Sequence, residues 1–484
     1  MNTLQFTVEK AKNGLDTISV RGENGSEIFL HSRIHPEKDF SVKIPDDFAG
    51  TVIILGFALG YHIANIPRGK IRRLICADIS AEIAALNYSK VSDKFPPDFI
   101  ILAAPGKQAS DPHFWNEYIG TDSQIIIAEH PASVRAFPQY YSSLKNAIGN
   151  FISKKASDTA TKKRFGYLYF KNALKNIDDF TMSKNILCFE VKFKGFTAAV
   201  VSSGPSLARY AAQLLEASPG IFIIAADSAL PALVSFGIRP DFIITVDPQA
   251  YTWEHLRPAV KSDILIMPLT AHPSVKTDNT FYYMNSHPIC QVVSHLHSSA
   301  SIDSNCGNVT GDALKFANFC SFSKIYIAGL DSSFPFNEIY SRGTAYQKRY
   351  LTKTNRINTL EKMNADYIFI NSSNFKESGI NTRKSFIQYK NGIEKMIGDK
   401  FIHLSAHSIP LNGCAHSPDL SADSADVNKT EYLNGIIKSA QRNSISKREI
   451  FSLIKNHAVR RELFRESLGG DFPDKESRLT RLMK

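Results

Sequence analysis

The chain has 484 residues and a mass of 53.9 kDa, enough for about three domains and a substantial buried core. With 43% hydrophobic and 21% charged residues, 26 glycines and 22 prolines, it lies outside the disordered and collagenous classes. Lys and Arg exceed Asp and Glu by 57 to 46, a net charge of +11, which is compatible with nucleic acid, an anionic membrane face or a phosphate-bearing substrate as partner.

In chain order, residues 1–165 read as an N-terminal Rossmann-like α/β domain. Short alternating segments at Phe6–Val8 and Glu27–Leu30 precede an apolar strand, Thr51–Leu55, that runs into Gly56-Phe57-Ala58-Leu59-Gly60. A second strand, Arg73–Ala77, ends at Asp78, 22 residues after Gly56. Strand, glycine turn, helix, strand and acid make half of a dinucleotide fold, but the turn lacks the G-x-G-x-x-G spacing that admits a pyrophosphate, so a structural βαβ unit is expected. Ile125–Ala128 is a further strand. Lys154-Lys155 and Lys162-Lys163-Arg164 read as a polar, basic connection to the next domain.

Residues 166–405 alternate regularly between strand and helix. Strands are expected at Phe196–Val201, Ile221–Ala225, Asp241–Val246, Ile264–Pro268, Phe281–Met284 and Lys324–Ala328, with helices from Leu207 to Ala217 and from Val309 to Phe319. This is the pattern of a mostly parallel sheet covered on both faces. Residues 406–484 read as a small helical C-terminal domain: Ser446-Lys447-Arg448-Glu449 is a capping box opening an amphipathic helix with Ile450, Leu453, Ile454 and Leu463, closed by Gly469-Gly470. Residues 431–484 hold 12 basic and 7 acidic side chains, read as a solvated helix surface. The cysteines, Cys76, Cys188, Cys290, Cys306, Cys320 and Cys414, contain no C-x-x-C pair, which argues for reduced thiols and against a thiolate zinc site. No run approaches 18 apolar residues, and Met1–Lys12 lacks an apolar stretch behind a basic end, so a cytoplasmic protein without a membrane span is expected.

In an open parallel sheet, ligands bind outside the carboxyl ends of the strands. Here those positions carry Ser203-Gly204-Pro205-Ser206, Asp227-Ser228, Asp247, Cys306-Gly307-Asn308-Val309 and Asp331. A glycine permits close backbone approach, proline suits a first helical turn, and a helix N-terminus attracts phosphate. The carboxylates can accept hydrogen bonds from sugar hydroxyls or bind a metal, whereas Asp227 and Asp247 can also simply cap helices.

The segment Ala199–Gln249, with its Gly-Pro-Ser-Leu turn, Ala-Ala-Asp-Ser-Ala step, Gly-Ile-Arg-Pro-Asp-Phe turn and terminal Asp-Pro, resembles the core of the motility-associated factor (Maf) glycosyltransferases, itself similar to one class of bacterial sialyltransferases. CGNVTGDALKFANFCSFSKIYIAGLDSSF resembles the family's nucleotide-recognising loop, and GFALGYHIANI its first domain. The resemblance implies a sialyltransferase-like, GT-A-variant central sheet and transfer of a pseudaminic- or legionaminic-type nonulosonic acid from a CMP-activated donor to Ser or Thr of flagellin, for flagellar assembly and motility. It implies that Ser203, Gly204, Pro205 and Ser206 hold the nucleotide, with Asp227 and Ser228 beside them, that Gly307 and Asn308 contact cytidine or phosphate, and that Asp247 faces the sugar. Tyr340 falls where the sialyltransferases hold the departing phosphate with a tyrosine.

The sialyltransferases place a catalytic histidine after that tyrosine, and none lies between His297 and His403, so the general base is unassigned. His272, His287 and His403 are candidates by type. Neither Asp227 nor Asp247 belongs to a D-x-D, and no metal or separate cofactor is expected. Flagellin and the CMP-sugar are the expected partners, nucleic acid is not, and a homo-oligomer stays open. A distantly similar family, 6-hydroxymethylpterin diphosphokinase, shares the Gly-Pro-Ser and Asp-Pro signatures and would need ATP and Mg²⁺, with Asp227 and Asp247 as ligands. A non-catalytic flagellin-binding chaperone is the third reading.

Overall fold

The computed structural model describes residues 4–483 apart from 39, 65, 67–70, 94–99, 104–114, 116–123, 275, 373–375, 378–379, 405, 421–426 and 469–472. Contacts divide the chain into two compact units, Met1–Thr161 and Lys162–Lys484.

In the first unit, β1 (Phe6–Lys10), β2 (Asp16–Arg21) and β3 (Glu27–Phe29) form an antiparallel meander. β2 was not expected: its single polar-to-apolar alternation, Asp16-Thr17-Ile18-Ser19-Val20, buries Thr17 and Ser19 as well as Ile18 and Val20, so alternation alone hides it. A second, wholly parallel sheet has the order β6 (Ile100–Ala103), β5 (Arg73–Ala77), β4 (Gly50–Leu55), β7 (Gln124–Glu129). β4 is buried along its whole length, as a strand covered on both faces must be. The glycine turn after it is filled from inside the protein. Asp78 Oδ2 accepts the N–H groups of Phe57 (2.7 Å) and Ala58 (2.9 Å), the donors a pyrophosphate would need. A Cβ on Gly56, at φ +98°, would lie 2.6 Å from Ser133. The βαβ unit is thus structural, as the spacing predicts.

The second unit is built on an eight-stranded parallel sheet. Its order is β12 (Asn279–Tyr283), β11 (Ile264–Pro268), β10 (Phe242–Ile244), β9 (Phe222–Ala226), β8 (Thr197–Val201), β13 (Lys324–Ala328), β16 (Phe401–Leu404), β17 (Ala415–Ser417). A short antiparallel hairpin, β14 (Lys376–Glu377) and β15 (Ile380–Asn381), stands apart from it. One face of the sheet buries Phe189, Phe193, Phe222, Phe242 and Phe281 with the helix Val309–Phe319, and the inner ends of β8 and β9 carry only Ala, Val and Ile.

Two expectations are corrected. The basic stretch from Lys154 to Arg164 is no connection but lies inside one helix, Pro138–Met182, within which the division between the units falls. Charge does not stop a helix, and no proline follows Pro138 until Pro205. Residues 406–484, expected as a domain of their own, lie within the second unit: β17 extends its sheet, and Ile450, Ile454, Leu463 and Phe464 share one buried cluster with Phe170, Ile177 and Ile243. Their amphipathic helix is also two helices, Lys447–Lys455 under the expected capping box and His457–Leu468, broken at Asn456. The closing Gly469-Gly470 lies outside the described residues.

Candidate active site

From β8 the chain runs outward in one direction through β9 to β12 and in the other through β13, β16 and β17, so the sheet's topological switch point lies between β8 and β13. Both strands end there in turns, and the residues just past the strand ends line a crevice. A cavity of about 310 Å³ occupies it, lined by Ser203, Gly204, Pro205, Asp227, Ser228, Asp247, Gly307, Asn308 and Tyr340. Nine of the ten residues singled out from the sequence therefore converge. The tenth, Ser206, is fully buried behind the turn, where its N–H donates to Asp331 Oδ2 (2.9 Å).

The turn is tied to its neighbours rather than held open for a ligand. Gly204 N–H donates to Gly329 O (2.8 Å), and a Cβ on Gly204 would lie 2.4 Å from Asp331 Oδ2 and 2.5 Å from Gly329 O. The close approach of the β8 and β13 ends requires a glycine at this position. Ser228 Oγ donates to Ser203 Oγ (2.9 Å), and Ser341 N–H to Ser203 O (3.0 Å), so the loop bearing Tyr340 is hung on the same turn. Asn308 caps the helix Val309–Phe319 by accepting Gly311 N–H (2.8 Å), and Gly307 takes φ +75° against the Tyr389 ring.

Each acid is occupied. Asp227 accepts from Ser228 N–H (2.6 Å) and Thr245 Oγ1 (2.6 Å), Asp247 from Gln249 N–H (2.8 Å) and Tyr251 O–H (2.7 Å). Burial pushes Asp227 above the usual carboxylate range, against the opposing pull of His255, Thr245 and Ser228. Burial likewise pushes Asp331 up to about 6, opposed by Ser206, and its Oδ1 is buried without a partner. Each oxygen of Asp227 and Asp247 thus accepts one hydrogen bond from the protein itself. Among the described residues the only convergent cluster of three metal-ligating side chains lies elsewhere. Among the described residues no lysine or arginine lines the cavity, so an anion there meets hydroxyls, amides and the positive ends of the helices Leu207–Ala217 and Val309–Phe319.

Tyr340 stacks on Tyr346 with ring centroids 4.2 Å apart and planes at 12°. Burial pushes its phenol well above the ordinary range, so it stays protonated and able to donate. Sequence reasoning missed the histidine: His255 lines the cavity at 3% exposure, its ring 4.6 Å from that of Tyr346, and neither ring nitrogen has a hydrogen-bond partner. It sits on the short helix Thr252–Leu256, just past the Asp247-Pro248 turn, and that sequence proximity is the signal that could have exposed it. The three histidines named from the sequence do not line this cavity. His287 caps the helix Pro288–Leu296 and burial, then Lys162, pushes it down to about 3. His403, on β16, bonds Leu330 O (3.0 Å) and is pushed down by burial to about 4. His272 pairs with Ser274 Oγ (2.7 Å).

An open parallel sheet with a cavity at its switch point, where ligands of such sheets bind, defines the class as α/β. Residues 171–337 match the family model described as 6-hydroxymethylpterin diphosphokinase MptE-like. An uncharacterized protein of Treponema pallidum (strain Nichols) is 29% identical over 179 residues, 36% of this chain and 38% of that one, and a second from the same organism is 28% identical over 108 residues, 22% and 39%. The matches thus span well under half of these curated relatives. A Maf glycosyltransferase from Magnetospirillum magneticum AMB-1 superposes with a TM-score of 0.64 at 13% identity, covering 100% of this chain and 86% of that one. The fold is that of a Maf glycosyltransferase, which bears out the resemblance at the level of architecture.

Proposed function

We propose that the protein is a glycosyltransferase that moves a nonulosonic acid from a CMP-activated donor to Ser or Thr of flagellin. The observation that carries this reading is the convergence at one switch point of the Ser203-Gly204-Pro205 turn, Gly307-Asn308, Asp247 and Tyr340. On this reading the nucleotide lies against the hydroxyls of Ser203 and Ser228 and the two helix N-termini. Asp247, oriented by Tyr251, faces the sugar hydroxyls. As the bond from the anomeric carbon to the phosphate oxygen breaks, charge collects on that oxygen, and the Tyr340 phenol donates to it. The acceptor hydroxyl forms the new bond and gives up its proton, for which His255 is the unoccupied base within the cavity. This reading routes no step through a metal ion.

The family-model match over residues 171–337 makes the ATP and Mg²⁺ alternative the comparison to run. Purified chain incubated with CMP-pseudaminic or CMP-legionaminic acid and flagellin should release CMP and raise the intact mass of flagellin by one sugar. CMP, and not ATP with Mg²⁺, should raise the melting temperature. Phosphorylation of a pterin substrate, or flagellin binding with no sugar transferred, would replace this reading by the kinase or the chaperone.

A further inference from the structure

The first unit has a switch point of its own. Its parallel sheet runs from β4 outward to β5 and β6 on one side and to β7 on the other, so the crevice a ligand would occupy lies between the ends of β4 and β7. Three histidines meet at this place. His31 follows β3, His62 follows the glycine turn after β4, and His130 follows β7. All are buried, at 2%, 1% and 1% exposure, and one ligating atom from each lies within 4.8 Å of the others. The rings of His62 and His130 stack at 4.7 Å, with His31 5.1 Å from His130.

A buried imidazole ordinarily spends its nitrogens on hydrogen bonds. Both ring nitrogens of His62 lack one, with the Gly56 backbone close by but outside bonding geometry. His130 Nδ1 pairs with Ser133 Oγ (2.8 Å), the outer contact that fixes a ligating histidine so that Nε2 faces the ion. His31 Nε2 receives Leu59 N–H (3.1 Å), so His31 joins the ion by exchanging that bond for a metal bond.

We propose that His31, His62 and His130 bind one divalent transition ion of the Zn²⁺ class, which cross-links the ends of β3, β4 and β7. Imidazole ligands suit this class, and a three-histidine set leaves a fourth position for water or another group. The ligating atoms must draw in from their present separations to reach Zn–N bonds of about 2.0–2.1 Å, which rotation of the rings allows.

The test uses the untagged full-length chain, stripped with chelator and titrated with Zn²⁺ or Co²⁺ against a competing indicator. The expected result is one tight ion per chain, the visible spectrum of four-coordinate Co²⁺, and a Zn²⁺-dependent rise in melting temperature. His62→Gln and His130→Gln should each lower affinity by roughly 100-fold or more, and His35→Gln, at an exposed histidine, should leave it unchanged. Equal affinity in the native chain and both variants, or no uptake by the native chain, overturns the site. If the variants fail to fold, X-ray absorption of the zinc-loaded native chain decides: scattering from three imidazoles supports the site, and its absence overturns it.

Discussion

Tyr340→Phe separates a transition-state donor from a packed ring. The substitution keeps the aromatic face that stacks on Tyr346 at 4.2 Å and removes only the hydroxyl, which has no hydrogen-bond partner among the described residues. Folding therefore loses no bond, and stability should stay within about 0.5 kcal/mol, the scatter of a benign substitution. Catalysis is different. A donor aimed at the leaving phosphate oxygen contributes about 2.7–4 kcal/mol, so kcat should fall on the order of 10²- to 10³-fold while donor affinity holds within a few-fold. Because burial raises the phenol's pKa, native Tyr340 stays protonated, and the ratio of native to variant rates should be flat from neutral into alkaline pH. Continuous release of CMP gives kcat, and calorimetry with CMP gives affinity. Near-native turnover in a folded variant would refute the role and move the search to Ser341, Arg342 and Thr344 in the same loop.

Four further outcomes follow from the geometry. Gly204→Ala should destabilise the fold by roughly 1–3 kcal/mol, seen as a lower melting temperature without ligand, because its Cβ meets Gly329 O at 2.5 Å; a native melting temperature would contradict the packing argument. His255→Gln should lower kcat by about 10²- to 10⁴-fold with donor affinity preserved, whereas unchanged kcat would remove it as the proton acceptor. Asp331 is raised from 3.8 to about 6 in the fold, so its contribution is full at low pH and is lost as pH rises through 6. Asp331→Asn should then gain on the native protein by on the order of 3 kcal/mol between pH 4 and 6 in chemical denaturation, and a constant difference would show that the carboxyl does not titrate there. Added Mg²⁺ or Mn²⁺ should leave the transfer rate unchanged, and strict dependence on either would put Asp227 and Asp247 in a metal site after all.

What the amino-acid sequence determined by itself was local. Strand Thr51–Leu55, the β8 to β13 alternation and the capping box at Ser446 were legible because hydrophobic runs, turns and caps depend on residues a few positions apart. The site turns were legible for the same reason: in a parallel sheet every strand end faces one side, so Ser203, Asp227, Asp247 and Asp331 could be placed together from alternation alone. The long helix Pro138–Met182 was hidden by its basic middle, whose charges mark solvent exposure as readily as a chain break. Tertiary structure alone decided which histidine faces the cavity. His255, His287 and His403 are the same residue type, and only packing leaves His255 unpartnered in the cavity while the others cap a helix or bond a carbonyl. It also decided why Gly204 is glycine and that His31, His62 and His130, spread over 100 residues, meet. Such contacts arise from strand order, which depends on how the whole chain buries its apolar faces rather than on any single segment.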